Sequence, residues 1–89
     1  MKITETWAVD IRRIEKYFLS QDAVPLPDGI TEEVKCFRCD VCTVRLTPLS
    51  MHPVGPVKVP RTLLEISGEE EAAKALYSRF FLRFISAGG

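Results

Sequence analysis

The stretch CFRCDVC carries Cys36, Cys39 and Cys42, the only three cysteines of the chain. Thiols this close together can ligate a soft metal ion, exchange with a disulfide, or stay protonated and pack as small apolar groups. If residues 34–46 formed one straight strand, Cys36 and Cys42 would share a face and Cys39 would point away. At about 3.3 Å per residue the outer pair would then lie ~20 Å apart. A shared ion therefore requires the chain to turn. The triplet Arg38-Cys39-Asp40 is polar and short enough for a three-residue hairpin loop. That register sets Cys36 opposite Cys42, with Cβ atoms ~5 Å apart, and leaves Cys39 at the tip.

A closed zinc site needs four ligands, and His52 is the one candidate for the fourth. The spacing also resembles the start of a ferredoxin cluster motif, but no fourth Cys followed by Pro exists. The expectation is reduced structural thiols, with no metal and no other cofactor. Metal or thiol binding by Cys36, Cys39, Cys42 and His52 is the alternative. His52, flanked by Met51 and Pro53, reads as a solvated loop residue with no nucleophile assigned to it. No phosphate loop, pair of catalytic carboxylates or metalloprotease motif occurs. Enzyme activity has no positive support, and no catalytic residue is nominated.

The elements that position these residues follow from periodicity. ITETWAV alternates, with Ile3, Trp7 and Val9 on one side, and reads as a strand. Trp7 reads as a core anchor. Asp10 can cap a helix from Ile11, in which Ile14 and Phe18 recur at helical spacing and Arg12, Arg13 and Lys16 are left to solvent. PLPDG, residues 25–29, reads as a loop. The runs EVKCF, VCTVRL and VKVPRTLLEIS read as antiparallel strands, with SMHPVGP connecting the last two and Pro60 marking an edge or a bulge. Ser67 and Glu70 fit a capping box ahead of a helix whose stripe is Ala73, Leu76, Tyr77, Phe80 and Phe84. The fold class is α+β: strand, helix, three to four antiparallel strands, helix, both helices on one face of the sheet, as a single domain over 1–89. Phe81, Leu82 and Ile85 lie off the main stripe and widen the apolar face. Burial of both flanks is the expectation in so small a fold. Left exposed, these three become the interaction residues.

Composition narrows the function further. Twelve basic residues balance twelve acidic ones, which argues against a nucleic-acid partner. The opening MKITETWAVDIRR has no apolar run suited to a signal peptide, and no stretch of ~18 apolar residues is present to span a membrane. An odd cysteine count argues for a reducing compartment, and the location expected is cytoplasmic.

Two resemblances bear on the role. VPLPDGIT with the following EEV is similar to the segment before the helix of a ubiquitin-like sulfur carrier, and Gly88-Gly89 to the tail of one. Such carriers end in a strand and an extended tail, whereas EEEAAKALYSRFFLRFISA reads as helix almost to its end. The wider resemblance runs through TETWAVDIRRIEKYFL, CTVRLTPL and VGPVKVPRTLLEISGEEEAAKAL to the terminal glycines. It is sharpest over 54–71, at Gly55, Pro60, Gly68 and the glutamates that follow. On these motifs the chain resembles the C-terminal domain attached to MoaD-related proteins. The central segment fits with gaps, so the cysteines are not among its signature residues. The resemblance implies a TATA-binding-protein-like order, strand-helix-four strands-helix, and a link to molybdopterin or sulfur-carrier biology. It carries over no catalytic residue and, since function lives in sites rather than folds, no DNA binding.

The resulting reading is a non-enzymatic accessory or protein-interaction domain. Its partner is a second copy or another protein, met by the sheet face or by Phe81, Leu82 and Ile85. A metal- or thiol-binding protein and a sulfur carrier using Gly89 are the alternatives.

Overall fold

A computed structural model describes residues 1–27 and 33–85, with backbone alone over 51–54. The elements in chain order are β1 (Lys2–Trp7), α1 (Ile11–Ser20), β2 (Val24–Leu26), β3 (Lys35–Cys39), β4 (Cys42–Val54), β5 (Val57–Ser67) and α2 (Glu70–Ile85). The strands form one antiparallel sheet in the order β1-β5-β4-β3-β2. The first strand pairs with the last, so chain neighbours β1 and β2 become the two edges.

Strand alternation sorts the side chains by face. Thr62, Leu64 and Ile66 of β5, Cys42, Val44 and Leu46 of β4, and Phe37 and Cys39 of β3 are buried in register with one another. They form one core with Ile14, Tyr17 and Phe18 of α1 and Ala73, Leu76, Phe80 and Phe84 of α2. Both helices therefore lie on this face. The opposite face carries Thr4, Thr6, Arg38, Thr43 and Glu65, and no described helix covers it. Phe80 sits at the centre of the aromatic packing. Its ring centroid lies 4.7 Å from Phe84, 5.0 Å from Trp7 and 5.8 Å from both Tyr17 and Phe18.

Helix α1 begins where the Asp10 carboxylate accepts the Arg12 backbone N–H at 2.9 Å. It ends in a Schellman turn. The Ala23 N–H bonds to the Phe18 carbonyl at 3.1 Å, and Asp22 takes the left-handed conformation (φ 63) that glycine usually fills. The start of α2 differs from the expected capping box. Ser67 stays in β5, and it is Glu69 whose carboxylate accepts the N–H groups of Glu71 and Ala72, at 3.1 and 3.0 Å. These bonds hold the Glu69 carboxyl below its ordinary pKa.

Three other boundaries move. Pro25 and Leu26, expected in a loop, pair with β3 together with Val24 as a short edge strand, the place where a proline lacking an N–H is tolerated. SMHPV, expected as connecting loop, continues β4, and the chain reverses at Gly55-Pro56, with Gly55 left-handed (φ 61). The register then shifts between Leu49 and His52, so residues 50 and 51 stand opposite Pro60 alone. The bulge lies where β1 no longer flanks β5, because β1 pairs only with residues 62–67. The hairpin between β3 and β4 turns at Asp40-Val41 rather than over residues 38–40.

Candidate functional site

The two-residue turn decides what the thiols can do. Asp40 takes a positive φ of 57, as a tight hairpin turn requires and as Asp tolerates better than most side chains. Cys39 then pairs directly with Cys42, and Cys36 pairs with Arg45. Cys39 and Cys42 face the core and are almost fully buried, whereas Cys36 lies half-buried on the opposite face of the sheet. The expected pairing of Cys36 with Cys42 is thus corrected: a loop one residue shorter moves the register, and a strand's alternation then splits the three sulfurs. None of the three is in a disulfide. Burial raises the pKa of both Cys39 and Cys42, and nearby Asp40 adds to the shift. Protonated, buried thiols are inert packing groups. Gly68 shows how tightly Cys42 is packed, since a Cβ there would stand 2.9 Å from its Sγ. Among the described residues no group of three or more His, Cys, Asp or Glu side chains converges as a metal site. The His52 side chain lies outside those residues; its backbone pairs with Val59.

The last helix carries the second candidate. Its stripe is spent on the core, yet Phe81, Leu82 and Ile85 are 41%, 63% and 54% exposed. The expected burial of both flanks is therefore corrected. The sheet is wide enough for α2 to lie beside α1, so a single stripe meets the core and the flank turns outward. Trp7, half-buried, stands edge-on to Phe81 at 5.7 Å and extends the apolar surface towards β1. Arg79, on the same helix, bonds Asp40 at 2.9 Å and so ties α2 to the cysteine hairpin.

A third feature went unmarked in the sequence. Arg13, Lys16, Tyr17 and Ser20 of α1 and Arg83 and Phe84 of α2 line a cleft of about 320 Å³ between the helices. The Arg13 guanidinium lies 5.8 Å from the Phe84 ring centroid, and the rings of Tyr17 and Phe84 meet at 5.6 Å and 73°. Burial raises the Tyr17 phenol above its ordinary pKa against the opposing pull of Arg79 and Arg83, so its hydroxyl stays protonated at neutral pH. Periodicity marks Arg13 and Lys16 only as solvent-facing and gives Arg83 no role in a site. Which solvent-facing groups meet depends on how the two helices dock.

Gly88 and Gly89, the tail on which the sulfur-carrier alternative rests, lie outside the described residues, as does the middle of PLPDGITEE. No described helix is long and apolar enough to cross a membrane. Compared with known proteins, the chain matches no family model and no curated protein.

Proposed function

We propose that this chain is a non-enzymatic accessory module that docks a protein partner on the outer flank of α2. The observation that carries the reading is the exposure of Phe81, Leu82 and Ile85 on a helix whose other face is already committed to the core. Three large apolar side chains within two turns, with Trp7 beside them, make a contiguous patch, and such patches mark interaction sites more often than scattered apolar residues do. The open sheet face is a poorer docking surface, because threonines and charged side chains dominate it. The balanced charge favours a protein over nucleic acid as the partner, and the odd cysteine count favours the cytoplasm. The resemblance to MoaD-associated domains supports a partner among molybdopterin or sulfur-carrier proteins. The order strand, helix, four strands, helix supports that resemblance.

The test uses the variant Phe81→Ser/Leu82→Gln/Ile85→Ser, which changes side chains on the surface. Sedimentation over a concentration range and affinity capture from cell extract are compared with the unaltered chain. A dimer lost in the variant, or a protein captured by the unaltered chain and lost by the variant, supports the reading. A monomer whose captured proteins are identical in both overturns it.

A further inference from the structure

We propose that the cleft between α1 and α2, walled by Arg13, Lys16 and Arg83, binds a small phosphate monoester carried on an aromatic body. Charge segregation is the first argument. In a chain of zero net charge, Lys2, Arg12, Lys74 and Arg79 each pair with a carboxylate, Glu65, Asp10, Glu70 and Asp40 respectively. The three cations of the cleft have no carboxylate partner among the described residues, and no acidic side chain lines it. Like charges brought together from two different helices repel one another, and an anion seated between them relieves that repulsion.

The kind of anion follows from the lining. Guanidinium groups present forked donors that match phosphate oxygens in pairs, and the lysine adds a point charge. Three cations suit a dianionic monoester better than a single carboxylate. The Tyr17 phenol, protonated at neutral pH, adds a neutral donor. Ser20 already donates its hydroxyl to the Tyr17 carbonyl at 2.6 Å, so the donors for the anion are the three cations and the phenol. The rings of Tyr17 and Phe84 line the cleft but are at most 8% exposed, so the planar guanidinium groups, which stack on aromatic faces, are what favour an aromatic body over a polar sugar chain. At about 320 Å³ the cleft stands at the small end of ligand pockets, which span roughly 300–1,000 Å³.

Calorimetric titration of the full chain with phenyl phosphate, inorganic phosphate and phenol tests this. Phenyl phosphate is expected to saturate one site, with inorganic phosphate at least ten-fold weaker and phenol without measurable binding. Affinity should fall as salt is raised. Arg83→Gln and Arg13→Gln should each weaken phenyl phosphate at least ten-fold. Arg12→Gln, whose guanidinium is held by Asp10 outside the cleft, should leave binding unchanged. Absence of saturation at millimolar ligand overturns the proposal, as does equal affinity in Arg83→Gln. Tighter binding of a phosphotyrosyl peptide than of phenyl phosphate also overturns it, by assigning the cleft to a protein ligand. The α2 flank is absent from the cleft lining, so loss of partner docking and loss of phosphate binding are separately observable.

Discussion

Cys39 and Cys42 face each other as the last pair of the β3–β4 hairpin, both buried, with only Asp40 and Val41 between them. Cys36, three residues back, stands on the other side of the sheet. Raised pKa values at Cys39 and Cys42 make their thiolates scarce at neutral pH, and burial hides the sulfurs. A thiol-specific chromogenic reagent at pH 8 should therefore modify one cysteine rapidly and the other two only once denaturant is added. Cys36→Ser should abolish the rapid phase. Rapid reaction of all three would show that the hairpin pair is open to solvent.

Gly68 and Cys42 form a close contact that admits no side chain. A Cβ on Gly68 would meet the Cys42 Sγ at 2.9 Å, its Cα at 3.2 Å and the Val41 carbonyl oxygen at 3.3 Å. Overpacking of this kind costs about 1–3 kcal/mol. Gly68→Ala should lower unfolding stability by that amount in urea titration. Combined with Cys42→Ala, it should cost measurably less than the sum of the two single changes, because the sulfur in the way is gone. Strict additivity would mean that the backbone shifts to absorb the methyl group.

Thr62 is fully buried, and its hydroxyl donates to the Val9 carbonyl at 2.7 Å. The bond fastens the connection between β1 and α1 to the centre of β5. Thr62→Val keeps the shape and leaves a buried acceptor without its donor, at a cost of about 1–3 kcal/mol. Chemical denaturation measures this directly. An unchanged midpoint would mean that water reaches Val9.

Asp10 couples the start of α1 to pH. The Arg12 side chain first, and its backbone N–H second, hold the carboxyl at about 2 instead of 3.8. A folded-state pKa below the unfolded value means that protons favour the unfolded chain. The stabilisation is complete above the unfolded value and disappears as pH falls from about 4 to about 2. The group is near the surface, so its worth is that of an ordinary helix cap, about 1 kcal/mol. Asp10→Ala should cost that much at pH 7, and the gap from the unaltered chain should narrow progressively as pH falls from about 4 to about 2. A gap independent of pH would contradict the capping role.

Phe80 and Phe81 are chain neighbours with opposite fates. Phe80 is fully buried among five aromatic rings, so Phe80→Ala should cost about 3–5 kcal/mol. Phe81 is 41% exposed and packs against the rings of Trp7 and Tyr77, so Phe81→Ala should cost under about 1.5 kcal/mol. Similar losses for both would mean that the flank of α2 is part of the core.

The readings that succeeded from sequence were those set by spacing along one element. The α1 start at Asp10, the stripe Ala73, Leu76, Phe80 and Phe84, and the irregularity at Pro60 all follow from rules that act within a few residues. The misreadings came where a partner strand decides. SMHPV and the start of PLPDG carry turn-rich composition, yet SMHPV and Pro25-Leu26 are held extended because β5 or β3 supplies their hydrogen bonds. The cap of α2 moved from Ser67 to Glu69 because Ser67 is retained in β5, paired with Lys2 on one side and Thr43 on the other.

The same division separates the sites. From its residues alone the chain specifies an α+β layer with apolar stripes that must be buried, because an apolar stripe or alternation is a local property that water penalises wherever the element ends up. Tertiary structure alone decided that Cys36 parts from Cys39 and Cys42, that Phe81, Leu82 and Ile85 face outward, and that Arg13, Lys16 and Arg83 meet. Each of these depends on register or on how two helices dock. A one-residue shift in a turn or a small rotation of a helix changes which side chains become neighbours while leaving the local pattern the same.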